Sequence, residues 1–186
     1  RLETAGAVAA LAQKISRAEG RSAAVKARLA SEKSPASRAR LLELCARIGD
    51  DSALPAVRAS LLEADPAAAA AAARAIAGWP TPTARFDALA LARTAKAETP
   101  SLLALQGFIR MVGSEKYARP EDAAAALKDA VAQAARPEEK KLVLAQLPVF
   151  ACPESLKLAE GLAADAAVQT EARAAIDKIK GKLAGK

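Results

Sequence analysis

The sequence contains no histidine, two cysteines and few aromatic residues: three phenylalanines, one tyrosine and one tryptophan in 186 residues. Without histidine there is no imidazole for a nucleophile triad, a general base or a metal site. Two cysteines far apart in sequence do not supply a cysteine-rich zinc site. Glycine-rich phosphate loops and a serine nucleophile elbow are also missing. We therefore expect a protein that is not an enzyme and that uses no cofactor or metal.

Long apolar runs are missing as well. The run from Ala67 to Ala73 is weakly apolar and is followed at once by Arg74. It is far shorter than the roughly 18–20 apolar residues that cross a bilayer, so we expect no membrane insertion. The chain begins at Arg1 without a methionine, which suggests a segment of a longer protein.

Alanine dominates the hydrophobic residues, which make up 52% of the chain. It has the highest helix propensity, and its small side chain lets helices approach closely. Six times an Ala/Leu-rich segment opens after a proline or an acidic cap and closes before a short second segment. The later openings lie 31 to 37 residues apart, near Ala36, Ala67, Ser101, Glu138 and Thr170. Such a period, with every unit helical, indicates stacked helix pairs.

We therefore predict an all-α fold, an α-α superhelix of about eleven helices in five pairs plus a C-terminal capping helix. It is predicted to form one domain over residues 1–186. The first two pairs are predicted at 3–19 with 21–33 and at 36–48 with 52–62, and the next three open at Asp65-Pro66, near Leu102 and at Pro137. Because Cys45 and Cys152 would lie three units apart, we expect two free thiols.

One segment carries a family resemblance. Leu61 to Trp79, with a Leu-Leu-x-x-Asp-Pro opening and an Ala-Arg-Ala-Ile close at Ala73 to Ile76, resembles a HEAT repeat, an ARM-like helix pair. The resemblance implies a right-handed α-solenoid that serves as a scaffold for protein–protein interaction. Ala68 and Ala69 stand where HEAT units usually place Val-Arg, so we expect a ladder of internal Asp–Arg pairs to be weak or missing.

A second resemblance concerns the context of the chain. Trp79-Pro80, together with the run from Glu138 to Leu144, is similar to HEAT-like segments of large multidomain bacterial proteins, many of which are exported. This resemblance implies a non-catalytic module within a longer polypeptide, and it carries no functional residue onto this chain.

Acidic pairs are the main candidates for chemistry. Asp50-Asp51, Glu121-Asp122 and Glu138-Glu139 each offer the two carboxylates that acid–base catalysis or cation binding requires. All three pairs lie at predicted helix starts, where capping and the helix dipole explain them. Trp79 offers a surface for stacking on a base or a sugar, but its position at a helix end favours a plug between two helix layers.

Positive charge is concentrated at the N-terminal end. Residues 1–49 carry ten Lys or Arg against four acids, whereas the whole chain has a net charge of +7. The candidate binding surface comprises Lys14, Arg17, Arg21, Lys26, Arg28, Arg38 and Arg40. Such a surface suits a phosphate backbone or an acidic protein. No aromatic residue accompanies these cations, which argues against base stacking.

Two functions remain open on the sequence. The first is a HEAT-like scaffold that binds a protein partner or positions a neighbouring domain of the same polypeptide. The alternative is a nucleic-acid-binding α-solenoid that uses the basic N-terminal helix pairs. Salt dependence of DNA binding separates the two.

Overall fold

A computed structural model of the chain describes residues 2–14, 20–95 and 98–185. Within these residues the chain forms eleven α-helices and no strand, so the predicted all-α class is confirmed. None of these helices is long and apolar enough to cross a membrane. The helices are α1 (Leu2–Gln13), α2 (Ala23–Ser31), α3 (Pro35–Ile48), α4 (Leu54–Ser60), α5 (Pro66–Ala77), α6 (Arg85–Thr94), α7 (Glu98–Ser114), α8 (Pro120–Gln133), α9 (Pro137–Gln146), α10 (Pro153–Leu162) and α11 (Gln169–Ala184).

Proline marks the start of five helices, α3, α5, α8, α9 and α10. Its fixed φ suits the first helical turn, where its missing N–H would have had no partner in the helix. Asp65 adds a cap to α5, because its Oδ1 accepts the backbone N–H groups of Ala67 at 3.0 Å and Ala68 at 2.9 Å. These starts are the reason that the sequence predicts helix beginnings well.

The first predicted helix, 3–19, is too long. Helix α1 ends at Gln13, and Lys14 lies in a turn whose N–H donates to the Leu11 carbonyl at 3.1 Å. Residues 15–19 of that prediction lie outside the described residues. The fourth predicted helix, 52–62, starts as a 3₁₀ turn at Asp51–Ala53 before α4 begins.

The chain divides into two compact units, Arg1–Gly107 and Phe108–Lys186, with the boundary inside α7. In the first unit α3 packs on α1, α2 and α5, and α5 also packs on α4 and α6. Its buried side chains include Leu29, Leu42, Ile48, Leu54, Val57, Ile76, Trp79 and Leu105. Helices α3 and α5 therefore form the centre of this unit.

In the second unit α8 packs on α9 and α10, while α11 packs on α9 and α10. A 3₁₀ turn at Leu147–Phe150 joins α9 to the segment before α10. The buried side chains of this unit include Leu127, Val143, Leu144, Leu147, Val168 and Ile179. Tyr117 lies edge-on to Phe150, with ring centroids 5.5 Å apart.

Helix α6 turns its aromatic residue outward. Phe86 is 66% exposed, and the Arg85 guanidinium lies 4.3 Å from the centre of its ring. The buried face of α6 is instead formed by Ala88, Leu89 and Ala92. Phe86 therefore lies outside the buried stripe of this helix, although it is only three residues from Leu89.

Close helix approach is most pronounced where α7 meets α5. A Cβ placed on Gly107 would lie 2.9 Å from the carbonyl carbon of Ala77 and 3.0 Å from its Cα. Backbone atoms have no free rotamer with which to move away, so this contact requires glycine. Gly181 in α11 differs, because a Cβ there would meet no atom within 4 Å.

We predict opposite stability effects for alanine at these two glycines. Gly107→Ala forces a side chain against the α5 backbone and should lower the free energy of unfolding by about 1–3 kcal/mol. Gly181→Ala, the matched control, should raise it by about 1 kcal/mol through helix propensity alone. Urea unfolding followed by far-UV circular dichroism measures both, and a neutral or stabilising Gly107→Ala would contradict the close approach.

Candidate binding surfaces

The acidic pair Asp50-Asp51 is a structural element. Asp50 is 3% exposed, and its carboxylate accepts the Ser22 N–H at 2.9 Å, the Ser22 hydroxyl at 2.6 Å and the Ser52 N–H at 3.0 Å. Burial acts to raise the pKa of Asp50, but these hydrogen bonds outweigh it and lower the pKa to about 2. The carboxylate therefore stays charged and ties the start of α2 to the connector between α3 and α4.

Asp51 makes the corresponding link in the other direction along the chain. Its Oδ1 accepts the Trp79 indole N–H at 2.8 Å and the Thr81 hydroxyl at 2.6 Å, and its Oδ2 accepts the Thr83 hydroxyl at 2.7 Å. Burial raises the pKa of Asp51, and the three hydrogen bonds lower it further than burial raises it. With its oxygens engaged in this way, the pair is suited to joining connectors rather than to moving protons.

Trp79 is fully buried beneath these contacts. Its ring has no open face for a base or a sugar, so the stacking interpretation is wrong. The interpretation as a plug agrees with the burial. The hydrogen bond from its indole to Asp51 could not be anticipated, because the two residues are 28 positions apart.

The other two acidic pairs lie at the starts of α8 and α9. Glu139 is buried and its carboxylate accepts the Arg136 N–H at 3.0 Å, which caps the start of α9. Asp122 forms an exposed ion pair with Arg119, with 2.8 Å between the two charged groups. Glu121 turns instead toward a groove between α8 and α10.

Two of the predicted basic surface residues have internal roles. Arg38 pairs with Glu63 and donates to the carbonyl oxygens of Leu29 at 2.7 Å and Glu32 at 3.0 Å, so it caps the C-terminal end of α2. The Lys26 ammonium donates to the Ser52 hydroxyl at 2.8 Å. Both cations therefore stabilise packing within the first unit.

The remaining members of the predicted surface differ in exposure and pairing. Arg28 forms an ion pair with Glu32, one helical turn further on. Lys14 and Arg40 are exposed, and Arg21 is half-buried. Arg17 lies outside the described residues.

A different surface, which we call the α8–α10 groove, lies in the second unit. Its volume is about 410 Å³, and it is lined by Glu121, Ala124, Ala125, Lys128, Glu154, Lys157 and Leu158. The floor is apolar, being made of two alanines and one leucine. Four charged side chains line the same groove, two acidic and two basic.

Cys152 lies beside the acidic end of this groove. Its Sγ and one carboxylate oxygen each from Glu121 and Glu154 lie within 4.8 Å of one another. The thiol is buried and already caps α10, since the Ser155 N–H donates to the sulfur at 3.4 Å. This group supplies three potential ligands, one fewer than a structural zinc site uses. Cys152 and Cys45 are both free.

One charge of the α8–α10 groove already acts on a neighbouring cation: the pKa of the Arg119 guanidinium is raised by its hydrogen bond to Asp122 and also by the charge of Glu121. Glu121, Lys128, Glu154 and Lys157 form neither a hydrogen bond nor an ion pair through their side chains among the described residues. By contrast, the groove between α9 and α11 is crossed by an ion pair from α9 to α11, with 2.9 Å between the charged atoms. Sequence reasoning singled out Glu121 alone, because each of the four residues looks ordinary on its own helix.

Comparison of the chain with protein-family models, with curated proteins and with solved structures gives no match.

We predict that Asp50 makes stability depend on acid pH. The folded pKa lies below the unfolded value of about 3.9, so this group stabilises the fold above about pH 4 and its contribution is lost as pH falls toward 2. The loss amounts to about 2 kcal/mol. Urea unfolding of the parent chain and of Asp50→Asn across this range measures it.

The variant should already be about 1–3 kcal/mol less stable at neutral pH, because its amide places an N–H against buried donors. Its stability should then change less between about pH 4 and pH 2. Asp122→Asn, which alters an exposed acid, is the matched control. Equal pH dependence in the parent chain and in Asp50→Asn would contradict the assignment.

Proposed function

We propose that this chain is a non-enzymatic, HEAT-like α-solenoid scaffold whose exposed helix faces bind a protein partner or position a neighbouring domain. Support comes from the order of packing within each unit. First helices of successive pairs pack together, as α1 with α3 and α3 with α5. In the second unit α9 packs on α11 and α8 packs on α10. Helix-pair repeats produce such rows of equivalent helices.

The α8–α10 groove is the observation that carries the proposal of a binding role. It combines an apolar floor with four charged side chains that form no ion pair in the described part of the chain. An apolar centre with a polar rim is the usual build of a protein interface. A partner that brings opposite charges would satisfy groups that the fold itself leaves to water.

Reactive groups support the same conclusion. Burial raises the pKa of the Cys45 thiol to about 11, so at neutral pH it is almost entirely the weakly nucleophilic neutral form. Asp50 and Asp51 hold structural hydrogen bonds. Binding is thus better supported than catalysis for the described residues.

We predict that the α8–α10 groove contacts another polypeptide in cells. A photo-reactive p-benzoylphenylalanine at position 157 should cross-link, in the native host, to a partner or to residues outside the 186 of this chain. Lys178 is an exposed residue of the α9–α11 groove and is the control position. Identical adducts from the two positions, or none from position 157, would count against the proposal.

For the nucleic-acid alternative, we predict no saturable binding of labelled duplex DNA at about 50 mM salt, because Arg28 and Arg38 are held in ion pairs. If the nucleic-acid alternative holds, the chain binds DNA tightly at about 50 mM salt and loses most of this affinity at about 200 mM. Fluorescence anisotropy measures both. If binding appeared and was weakened by Lys14→Ala with Arg40→Ala but not by Lys178→Ala, the alternative would replace the scaffold proposal.

A further inference from the structure

We propose that the α8–α10 groove binds an amphipathic α-helix of a partner polypeptide, lying antiparallel to α8 and α10, with acidic residues in its first turn and basic residues in its last. The inference rests on the proposed scaffold function and specifies the partner of that site.

The groove has an acidic end and a basic end. Glu121 and Glu154 are each the second residue of their helix, and their carboxylates meet beside Cys152. Helices α8 and α10 therefore begin at the same end of the groove. With a rise of about 1.5 Å per residue, Lys128 lies about 10 Å beyond Glu121, and Lys157 about 4.5 Å beyond Glu154. Negative charge thus gives way to positive charge along the groove.

These charges are available because none of the four forms an ion pair in the described part of the chain, and Arg119, on which Glu121 acts from a distance, is paired with Asp122. Neighbouring elements of the same unit do pair their charges: Lys140 with Asp165 at 2.7 Å, and Lys180 with Glu160 at 3.6 Å. Glu160 lies on α10 itself, so one part of that helix is paired inside the fold while the groove side is not. A partner could therefore pair with these charges without first breaking an ion pair inside the fold.

The floor suits side chains that come from outside. Ala125 is exposed and Ala124 is buried beneath it, while Leu158 is half-buried on the opposite wall. Two small residues allow another helix to come close, and the leucine supplies apolar area for its side chains. Such a floor between two helices is the form of site into which an amphipathic helix lays its apolar face.

The direction follows from the helix dipole. Helices favour acids in the first turn and bases in the last. An antiparallel partner of that ordinary pattern sets its basic last turn against Glu121 and Glu154, and its acidic first turn against Lys128 and Lys157. A parallel partner would place like charges together. A phosphate backbone would meet the acidic end unfavourably, which makes nucleic acid a poor occupant.

The test uses two capped synthetic helices of about 11 residues, roughly 16 Å long, with leucines along one face, so that the first and last turns are about 11 Å apart. One carries glutamates in its first turn and lysines in its last, and its twin carries the same residues exchanged. Their net charge is equal, so attraction to the net charge of the whole chain does not separate them. Fluorescence anisotropy with the full chain should give an affinity about tenfold higher for the first peptide, as several rim ion pairs allow.

Exchanging the charges of the groove itself should reverse its preference between the two peptides. The variant that combines Glu121→Lys, Glu154→Lys, Lys128→Glu and Lys157→Glu should prefer the twin peptide. Because lysine at a helix start weakens the helix, a milder variant with only Lys128→Glu and Lys157→Glu keeps the test valid, and it should abolish the preference. Lys178→Glu, outside the groove, should leave the preference unchanged.

Equal affinity for both peptides, binding of neither, or a preference that survives the double lysine variant would overturn the inference. The failure of the general proposal is recognised separately. If cross-links form from position 157 while neither peptide is preferred, the groove binds a partner of another kind. If neither assay responds, the scaffold proposal fails as well.

Discussion

The structure of the first unit depends on close packing between helices that bury mostly alanine. Helix α5 packs on α3 while burying Ala68, Ala71, Ala72 and Ala75. Each alanine contributes little apolar area, so the hydrophobic gain per residue is small although the helices fit closely. Packing of small side chains also specifies register weakly, since neighbouring registers present nearly the same surface. The first unit therefore needs a second source of specificity.

Buried acids in the connectors supply that specificity. Asp50 accepts hydrogen bonds from Ser22 and Asp51 accepts one from Trp79, so two adjacent residues join three alternate connectors: α1–α2, α3–α4 and α5–α6. Arg38 likewise fixes the end of α2, because its guanidinium donates a hydrogen bond to the Leu29 carbonyl. Directional hydrogen bonds lose their strength when displaced by even 1 Å, whereas alanine contacts tolerate such shifts. The helices of this unit are thus positioned by charged side chains enclosed within it. These charges are no longer available to a ligand.

The sequence predicts helix starts well and side-chain partners poorly. Proline and acidic caps act within one turn, so Asp65 and Pro66 are sufficient to place the beginning of α5. Arg38 and Glu63 meet across 25 residues, and no local pattern distinguishes a cation that caps a neighbouring helix from one on an open face. The basic surface was predicted from composition, and composition does not reveal pairing. The α8–α10 groove was missed for the same reason, because its two walls come from helices that are separated by α9 in the sequence.

The two kinds of charge in this protein have opposite consequences. A charge enclosed by hydrogen bonds, such as Asp50, contributes about 2 kcal/mol to the stability of the fold because those hydrogen bonds outweigh the cost of burial. An exposed rim charge, such as Lys128, contributes at most about 1 kcal/mol per pair. A groove of this kind reaches useful affinity only when several rim pairs and the apolar floor act together. Selectivity for one orientation then follows, because reversing a dipolar partner turns every favourable rim pair into a repulsive one at the same time.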